Sequence, residues 1–208
     1  YTPIDTRPTL IYPLTLGGSN WGGLSYDPGR NLLIANSNDL AGITQLVPRP
    51  AGGKGDPGKV SMTGSPYTLK FDAFLAPSGA PCNRPPWGRL TAIDLNTGQK
   101  KWDVPLGTTR DVAPWPLWTK TGVPNQGGTL TTASGLVFIG AATDNFLRAF
   151  DTQTGEELWK GRLPAGGQAT PMSFRLNRDG KQYIVISAGG HGALGSTQGD
   201  YLMAYTLP

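Results

Sequence analysis

"LTAIDLNTGQKKW" (residues 90–102) and "LRAFDTQTGEELW" (residues 147–159) superimpose without a gap at an offset of 57, sharing Leu, Ala, Asp, Thr, Gly and Trp. Each copy alternates into a Thr-Gly pair, where glycine tolerates positive φ, and then returns to deliver a Trp. That pattern is a β-hairpin, and its recurrence is an internal repeat. A weaker third copy, "DYLMAYTLP", aligns Tyr201, Leu202, Ala204 and Tyr205 with Phe146, Leu147, Ala149 and Phe150 at an offset of 55.

A second strand pair precedes each hairpin. It is clearest in "GGTLTTASGLVFIGAA" (residues 127–142) and recurs in "GGQATPMSFRLNRDGKQYIVISAGG" (166–190) and "GGSNWGGLSYDPGRNLLIANSN" (17–38). Four strands per unit, repeated at roughly 40 to 60 residues, predict an all-β chain of about three four-stranded blades. A β-propeller closes with ~4 to 8 blades, so the chain reads as a partial propeller, an arc of a larger ring. Residues 41–89, with eight prolines and eight glycines, break the pattern and read as a long insertion between strands of the first blade. Its aromatics Tyr67, Phe71, Phe74 and Trp87 leave open whether part of it packs down over the blade or a partner surface.

Composition narrows the function classes. The net charge is +4, but the basic residues are scattered, with no run longer than Lys100-Lys101, so no phosphate-tracking stripe is present and nucleic acid is not an expected partner. Cys82 is the single cysteine, which excludes an internal disulfide and a thiolate metal cluster. No stretch reaches the ~18 apolar residues of a membrane span. The opening "YTPIDTRPTLIYPL" has neither an initiator Met nor a signal-peptide pattern, and reads as part of something longer.

Few residues carry chemistry. His191 is the only histidine, set in the glycine-rich "SAGGHGALGSTQGD" (187–200), and with no partner motif it specifies no reaction by itself. The same loop is no phosphate cradle, because no Lys-Ser/Thr follows its glycines. Asp94, Asp144, Asp151 and Asp200 tempt an acid–base assignment, but three of them fall at repeat-equivalent or adjacent strand ends, which favours hydrogen bonds within turns and blades.

The hairpin signature A-x-D-x-x-T-G-x-x-x-W, present at 92–102 and 149–159, resembles the tryptophan-docking repeat of the pyrroloquinoline quinone (PQQ) dehydrogenases. In that family the Trp wedges between blades, so Trp102 and Trp159 are expected in the core. "GGSNWGG", "PCNRPPWGRLTAIDL" and the final third of the chain resemble the membrane-bound quinoprotein glucose dehydrogenases and their quinate/shikimate relatives, over nearly the whole chain and more closely than the methanol dehydrogenases. The resemblance implies a C-terminal fragment, spanning 1–208, of an eight-bladed quinoprotein propeller.

The resemblance also implies roles. Asn20 and Trp21 would contact the quinone, the amide donating to an oxygen that gains charge and the indole forming a dry wall; a turn Asn and a core Trp remain the alternative. Gln126 and Gly127, in "NQGG", would offer PQQ a backbone contact; methanol dehydrogenases carry Trp in place of Gln126, so only the backbone role transfers, and a plain strand-entry turn remains open. His191 would line the funnel mouth and touch substrate. No catalytic residue and no metal ligand is assigned to these 208 residues. The base, and the ligands of a divalent cation (Ca or Mg), would lie on the remaining propeller blades. The expected whole enzyme oxidises a sugar or polyol, glucose or quinate/shikimate, and passes electrons to ubiquinone at the periplasmic face of the bacterial inner membrane. This fragment would itself be soluble and inactive alone. The rival readings are a non-catalytic propeller serving as a protein- or glycan-binding scaffold, and a chain that folds only with a partner supplying further blades.

Overall fold

The computed structural model describes residues 2–49 and 59–207. The chain divides into two compact units, residues 1–17 with 39–84, and residues 18–38 with 85–208.

The smaller unit is one antiparallel four-stranded sheet in the order β1-β4-β6-β5, from β1 (Thr9–Ile11), β4 (Gly42–Pro48), β5 (Lys59–Ser61) and β6 (Tyr67–Ala73). Most of the insertion predicted at 41–89 is thus a sheet of its own, completed by a strand from near the start of the sequence. Leu14, Leu40, Ala41 and Thr44 are buried there, and a Cβ at Gly42 would fall 2.1 Å from the Leu14 side chain. Phe71 and Phe74 stay exposed. Residues 50–58 of the insertion lie outside the described residues.

The larger unit holds three sheets in sequence. The first is β2 (Ser25–Asp27), β3 (Leu32–Asn38), β7 (Gly88–Asp94) and β8 (Gln99–Pro105); the second is β9 (Thr129–Thr131), β10 (Leu136–Ile139), β11 (Phe146–Asp151) and β12 (Glu157–Arg162). The third is β13 (Met172–Arg175), β14 (Gln182–Ala188) and β15 (Tyr201–Thr206). Within each sheet, consecutive strands pair antiparallel. The third sheet has three strands rather than the four the repeat predicts. Among the described residues no helix is long and apolar enough to cross a membrane.

Period-2 alternation decides which faces are buried. Leu32 and Ile34 of β3 with Leu90 and Ala92 of β7 pack against Val137, Ile139 and Phe150 of the second sheet. The second sheet's other face, with Leu147, Leu130 and Phe138, packs on Ile184, Ile186, Met203 and Tyr205 of the third. The middle sheet is thus covered on both sides, which is why β11 is buried at five successive positions rather than at alternate ones. One of those positions is Arg148, whose guanidinium is bound by Asp144 through its two terminal nitrogens and lies with Nε 3.3 Å from Glu157 Oε2; Asp144 also accepts from the Thr108 N–H at 2.7 Å and hydroxyl at 2.9 Å. A buried charge persists only when paired in this way.

The two hairpins are equivalent in detail. Each register shifts by a bulge, between Ala92 and Ile93 and between Ala149 and Phe150. In each turn the Asp carboxylate accepts from the backbone two residues on, at 2.8 Å for both Asp94–Asn96 and Asp151–Gln153. Gly98 (φ 69°) and Gly155 (φ 74°) close the turns in the left-handed region. Asp94, Asp144 and Asp151 are accordingly structural hydrogen-bonding groups.

The two tryptophans differ. Trp102 is half-buried, and its indole N–H donates to the Thr152 carbonyl in the next blade's turn at 2.9 Å; a Cβ at Gly155 would lie 2.7 Å from its ring. Trp159 is 39% exposed and meets Tyr205 edge-on at 5.3 Å. It therefore does not take the expected core position in this structure, and among the described residues no carbonyl accepts its N–H. A cleft of about 500 Å³, lined by Trp159, Phe138, Leu158, Ile184 and Tyr205, remains beside it.

Trp102→Phe keeps an aromatic ring but loses the indole N–H bond to Thr152 and part of the ring's packing on Gly155, and is expected to cost about 2 kcal/mol in urea unfolding, with a clearly smaller cost for Trp159→Phe. Equal costs would contradict the difference in docking.

Burial works to raise the Asp151 pKa, but the Thr154 and Gln153 backbone N–H groups, the Thr154 hydroxyl and the more distant Arg30 outweigh it and hold the carboxyl below its usual range. At Asp103 burial is likewise outweighed, by Lys100 and Arg89. Groups with a lowered folded pKa contribute their full stability above the unfolded value of about 3.9 and lose it as pH falls through the folded one. The stability difference between the native protein and Asp151→Asn should therefore be constant from neutral pH to about 5 and shift against the native protein below about 4, as read by melting temperature against pH.

Candidate functional site

In a sheet of consecutive antiparallel strands, the link between the second and third strands and the link into the first strand lie at one end. Five segments of the larger unit share that end: 18–24, 106–128, 140–145, 163–171 and 189–200. Asn20, Trp21, Gln126, Gly127 and His191 all fall on them. The apolar cleft beside Trp159 involves Thr132, Ser134 and Gln182, at the opposite end, and is separate from these residues.

Backbone contacts knit the five segments together. The Gln126 N–H donates to Ala141 O at 3.0 Å, Thr143 N to Pro124 O at 3.1 Å, Gly166 N to Thr197 O at 2.8 Å and Gly190 N to Gly166 O at 2.8 Å. The Gly-Gly pairs serve this packing. A Cβ at Gly22 would lie 2.0 Å from the Gly127 carbonyl carbon, and one at Gly128 would lie 2.1 Å from Gly22 O. Only glycine lets the 18–24 segment press on the 127–128 backbone this closely.

Asn20 is half-buried, and its Oδ1 accepts from the Trp21 N–H at 2.7 Å, so its donor end is Nδ2. Trp21 is 62% exposed among the described residues. Gln126 is buried; its N–H is engaged by Ala141, and the Gly127 carbonyl accepts from Asn36 Nδ2 at 3.1 Å. The polar atom this segment leaves without a partner is the buried Oε1 of Gln126. His191 is half-buried, its N–H donates to Ser196 Oγ at 2.8 Å, and its Nδ1 is buried without a partner. Thr143 Oγ1 and Asn145 Oδ1, on the 140–145 segment, are buried without a partner as well; buried polar atoms are normally satisfied, so these orphans on neighbouring loops at one end of the blades mark a place for a polar ligand.

Sequence reasoning missed the interior polar frame of this end. Asn36, Asn38 and Asn125 are all buried: Asn36 Nδ2 donates to Asn125 Oδ1 at 2.7 Å, Asn38 Nδ2 to Asn125 O at 2.9 Å, and the Asn125 N–H to Asn38 Oδ1 at 2.8 Å. The signal was present, since Asn36 and Asn38 continue the buried phase of Leu32 and Ile34 along β3. Gln168 and Ser196 were missed too, and nothing in their spacing announces them.

These features define a class: stacked propeller blades whose inter-strand loops gather at one end around orphaned polar atoms. The family model for the PQQ glucose/ethanol/alcohol dehydrogenase β-propeller domain matches residues 1–184, and the chain belongs to that family. It is 44% identical over its full length to the quinoprotein glucose dehydrogenase of Escherichia coli (strain K12), covering 28% of that protein. It is 41% identical to the quinate/shikimate dehydrogenase (quinone) of Acinetobacter baylyi, covering 27% of it. The quinohemoprotein alcohol dehydrogenase of Comamonas testosteroni shares the fold, with TM-score 0.64 at 24% identity over 97% of this chain and 27% of that one. The chain thus spans a little over a quarter of its curated relatives' length.

The residues suit the family's cofactor at one edge and one face: an oriented amide at Asn20 beside the exposed indole of Trp21 matches a planar quinone with carbonyl acceptors. Among the described residues no group of three or more His, Cys, Asp or Glu side chains could hold a metal ion.

Asn125→Ala would take its acceptor Oδ1 from the buried Asn36 amide and its donor Nδ2 from Asn38 Oδ1 and the Ser37 carbonyl, and is expected to cost about 2 kcal/mol in urea unfolding, against less than about 1 kcal/mol for Asn20→Ala. Similar costs would place Asn20 in the structural frame.

Proposed function

We propose that this chain forms part of the active-site wall of a PQQ-dependent dehydrogenase that oxidises a sugar or polyol, of the glucose or quinate/shikimate class, at the periplasmic face of a bacterial inner membrane, with ubiquinone as electron acceptor. The remaining blades, and a divalent cation of the Ca or Mg kind with its ligands, would be supplied by the part of the relatives' length that this chain does not span. The observation that carries the reading is the gathering of Asn20, Trp21, Gln126 and His191 at one end of the blades, with Gln126 Oε1 and His191 Nδ1 buried and unpartnered.

When bound, PQQ supplies the acceptor for hydride leaving an alcohol carbon. Asn20 would hold Nδ2 toward an oxygen that gains negative charge during that transfer, a donor preorganised by the Trp21 N–H on its other end. Trp21 would cover a ring face and exclude water. Gln126 would offer Oε1 to a hydroxyl or N–H of the bound molecule, and His191 a ring nitrogen to a substrate hydroxyl. None of these residues takes up the substrate proton; the base lies outside this set.

The test is steady-state dye reduction by the full-length protein reconstituted with PQQ and a divalent cation, using glucose, quinate and shikimate. Asn20→Ala should lower kcat roughly a hundredfold, as loss of one oxyanion donor does, whereas His191→Ala should raise KM roughly tenfold with kcat little changed. No activity on any of the three, or equal loss of both parameters in both variants, would overturn the assignment.

A further inference from the structure

A hydrogen-bonded chain of side chains runs beneath the His191 loop, and no role assigned so far uses it. Gln168 is 6% exposed and Ser196 8%. The Ser196 hydroxyl donates to Gln168 Oε1 at 2.8 Å and accepts the His191 N–H at 2.8 Å. Gln168 Nε2 donates to Ala142 O at 3.2 Å and to Ala141 O at 3.4 Å. Ala141 O is also the acceptor of the Gln126 N–H. One carbonyl of the second blade is therefore shared between the segment carrying Gln126 and the side chain that leads, through Ser196, to His191. Gly166 is shaped around this junction, since a Cβ there would lie 2.1 Å from Gln168 Oε1 and 2.7 Å from Ser196 Oγ.

Every polar atom of the two side chains is committed to the chain. Gln168 spends its acceptor on Ser196 and its donor end on two blade carbonyls; Ser196 spends its one proton on Gln168. The loop that carries His191 is otherwise rich in glycine and includes Gly190 and Gly195 at positive φ. Such a backbone has many accessible conformations, and a buried side-chain anchor selects among them.

We infer that Gln168 and Ser196 are positioning residues, which hold His191 at a fixed place relative to Gln126 and so set the enzyme's affinity for its polyol. The inference rests on the reading of His191 as a substrate contact, and it adds which residues govern that contact. Neither Gln168 nor Ser196 touches substrate in this account; both act through His191.

The test uses the full-length protein loaded with PQQ, glucose as the probe, and two readouts. Ser196→Ala should raise KM about five- to tenfold with kcat changed less than twofold, and should speed amide hydrogen exchange in the peptide spanning 187–200; Ser196→Thr, which keeps the hydroxyl, should restore both. In a His191→Ala background, Ser196→Ala should change KM less than twofold further, because the residue it positions is gone. Gln168→Leu should match Ser196→Ala, and if that variant does not fold, the Ser196 pair carries the test. Multiplying KM effects of Ser196→Ala and His191→Ala, or unchanged exchange in 187–200, would overturn the inference. If His191→Ala itself leaves KM unchanged while Ser196→Ala still loosens the loop, the substrate role of His191 fails and the anchoring stands.

Discussion

A β-sheet has two faces, and one of these blades can bury both only by standing between two others. The second sheet does so, and its strands record it: β11 is buried along five consecutive residues, including an arginine that could not be there without Asp144. The first and third sheets have one neighbour each within the larger unit. Leu202, at 72% exposed, and Met172, at 55%, remain on the surface of the third. Stacking also dictates where chemistry can occur. Once the faces are spent on packing, the polar groups of the chain must collect at the ends of the sheets, and the longer loops collect at only one of the two ends.

That division explains the distribution of the glycines. At the turn end they close hairpins, as Gly98 and Gly155 do, the second also receiving the Trp102 ring. At the loop end Gly22, Gly127 and Gly128 let backbones of different blades touch, and Gly166 clears room for Gln168 and Ser196. The "NQGG" segment shows the consequence for function. Its glycines lie against protein, and its unused hydrogen-bonding capacity sits in the buried Gln126 side chain, whose Oε1 has no partner among the described residues.

How much was legible in the sequence follows from the range of each interaction. The hairpins were readable because their determinants are local: Asp, Thr and Gly within five residues fix the turn, and a repeat at 57 residues doubles the signal. Trp159 was misjudged because its surroundings belong to the next sheet, where Tyr205 meets it from 46 positions along the chain. The insertion was readable as a break in the repeat but not as a sheet, since β4 and β6 must be joined by β1 from across the first blade's sequence. At the candidate site, the positions of Asn20, Trp21, Gln126 and His191 at one end follow from strand order alone. The Asn36–Asn38–Asn125 frame and the Gln168–Ser196 anchor join residues that are 28 to 89 positions apart, and only the folded chain brings them together.

We propose that the loop end of these blades is a wall of a cofactor and substrate site. A crystal structure of the full-length protein with PQQ and a sugar tests it directly. Asn20 Nδ2 is expected within about 3.2 Å of a quinone oxygen and a His191 ring nitrogen within the same distance of a sugar hydroxyl. Density for both ligands at a place that neither residue reaches would contradict it.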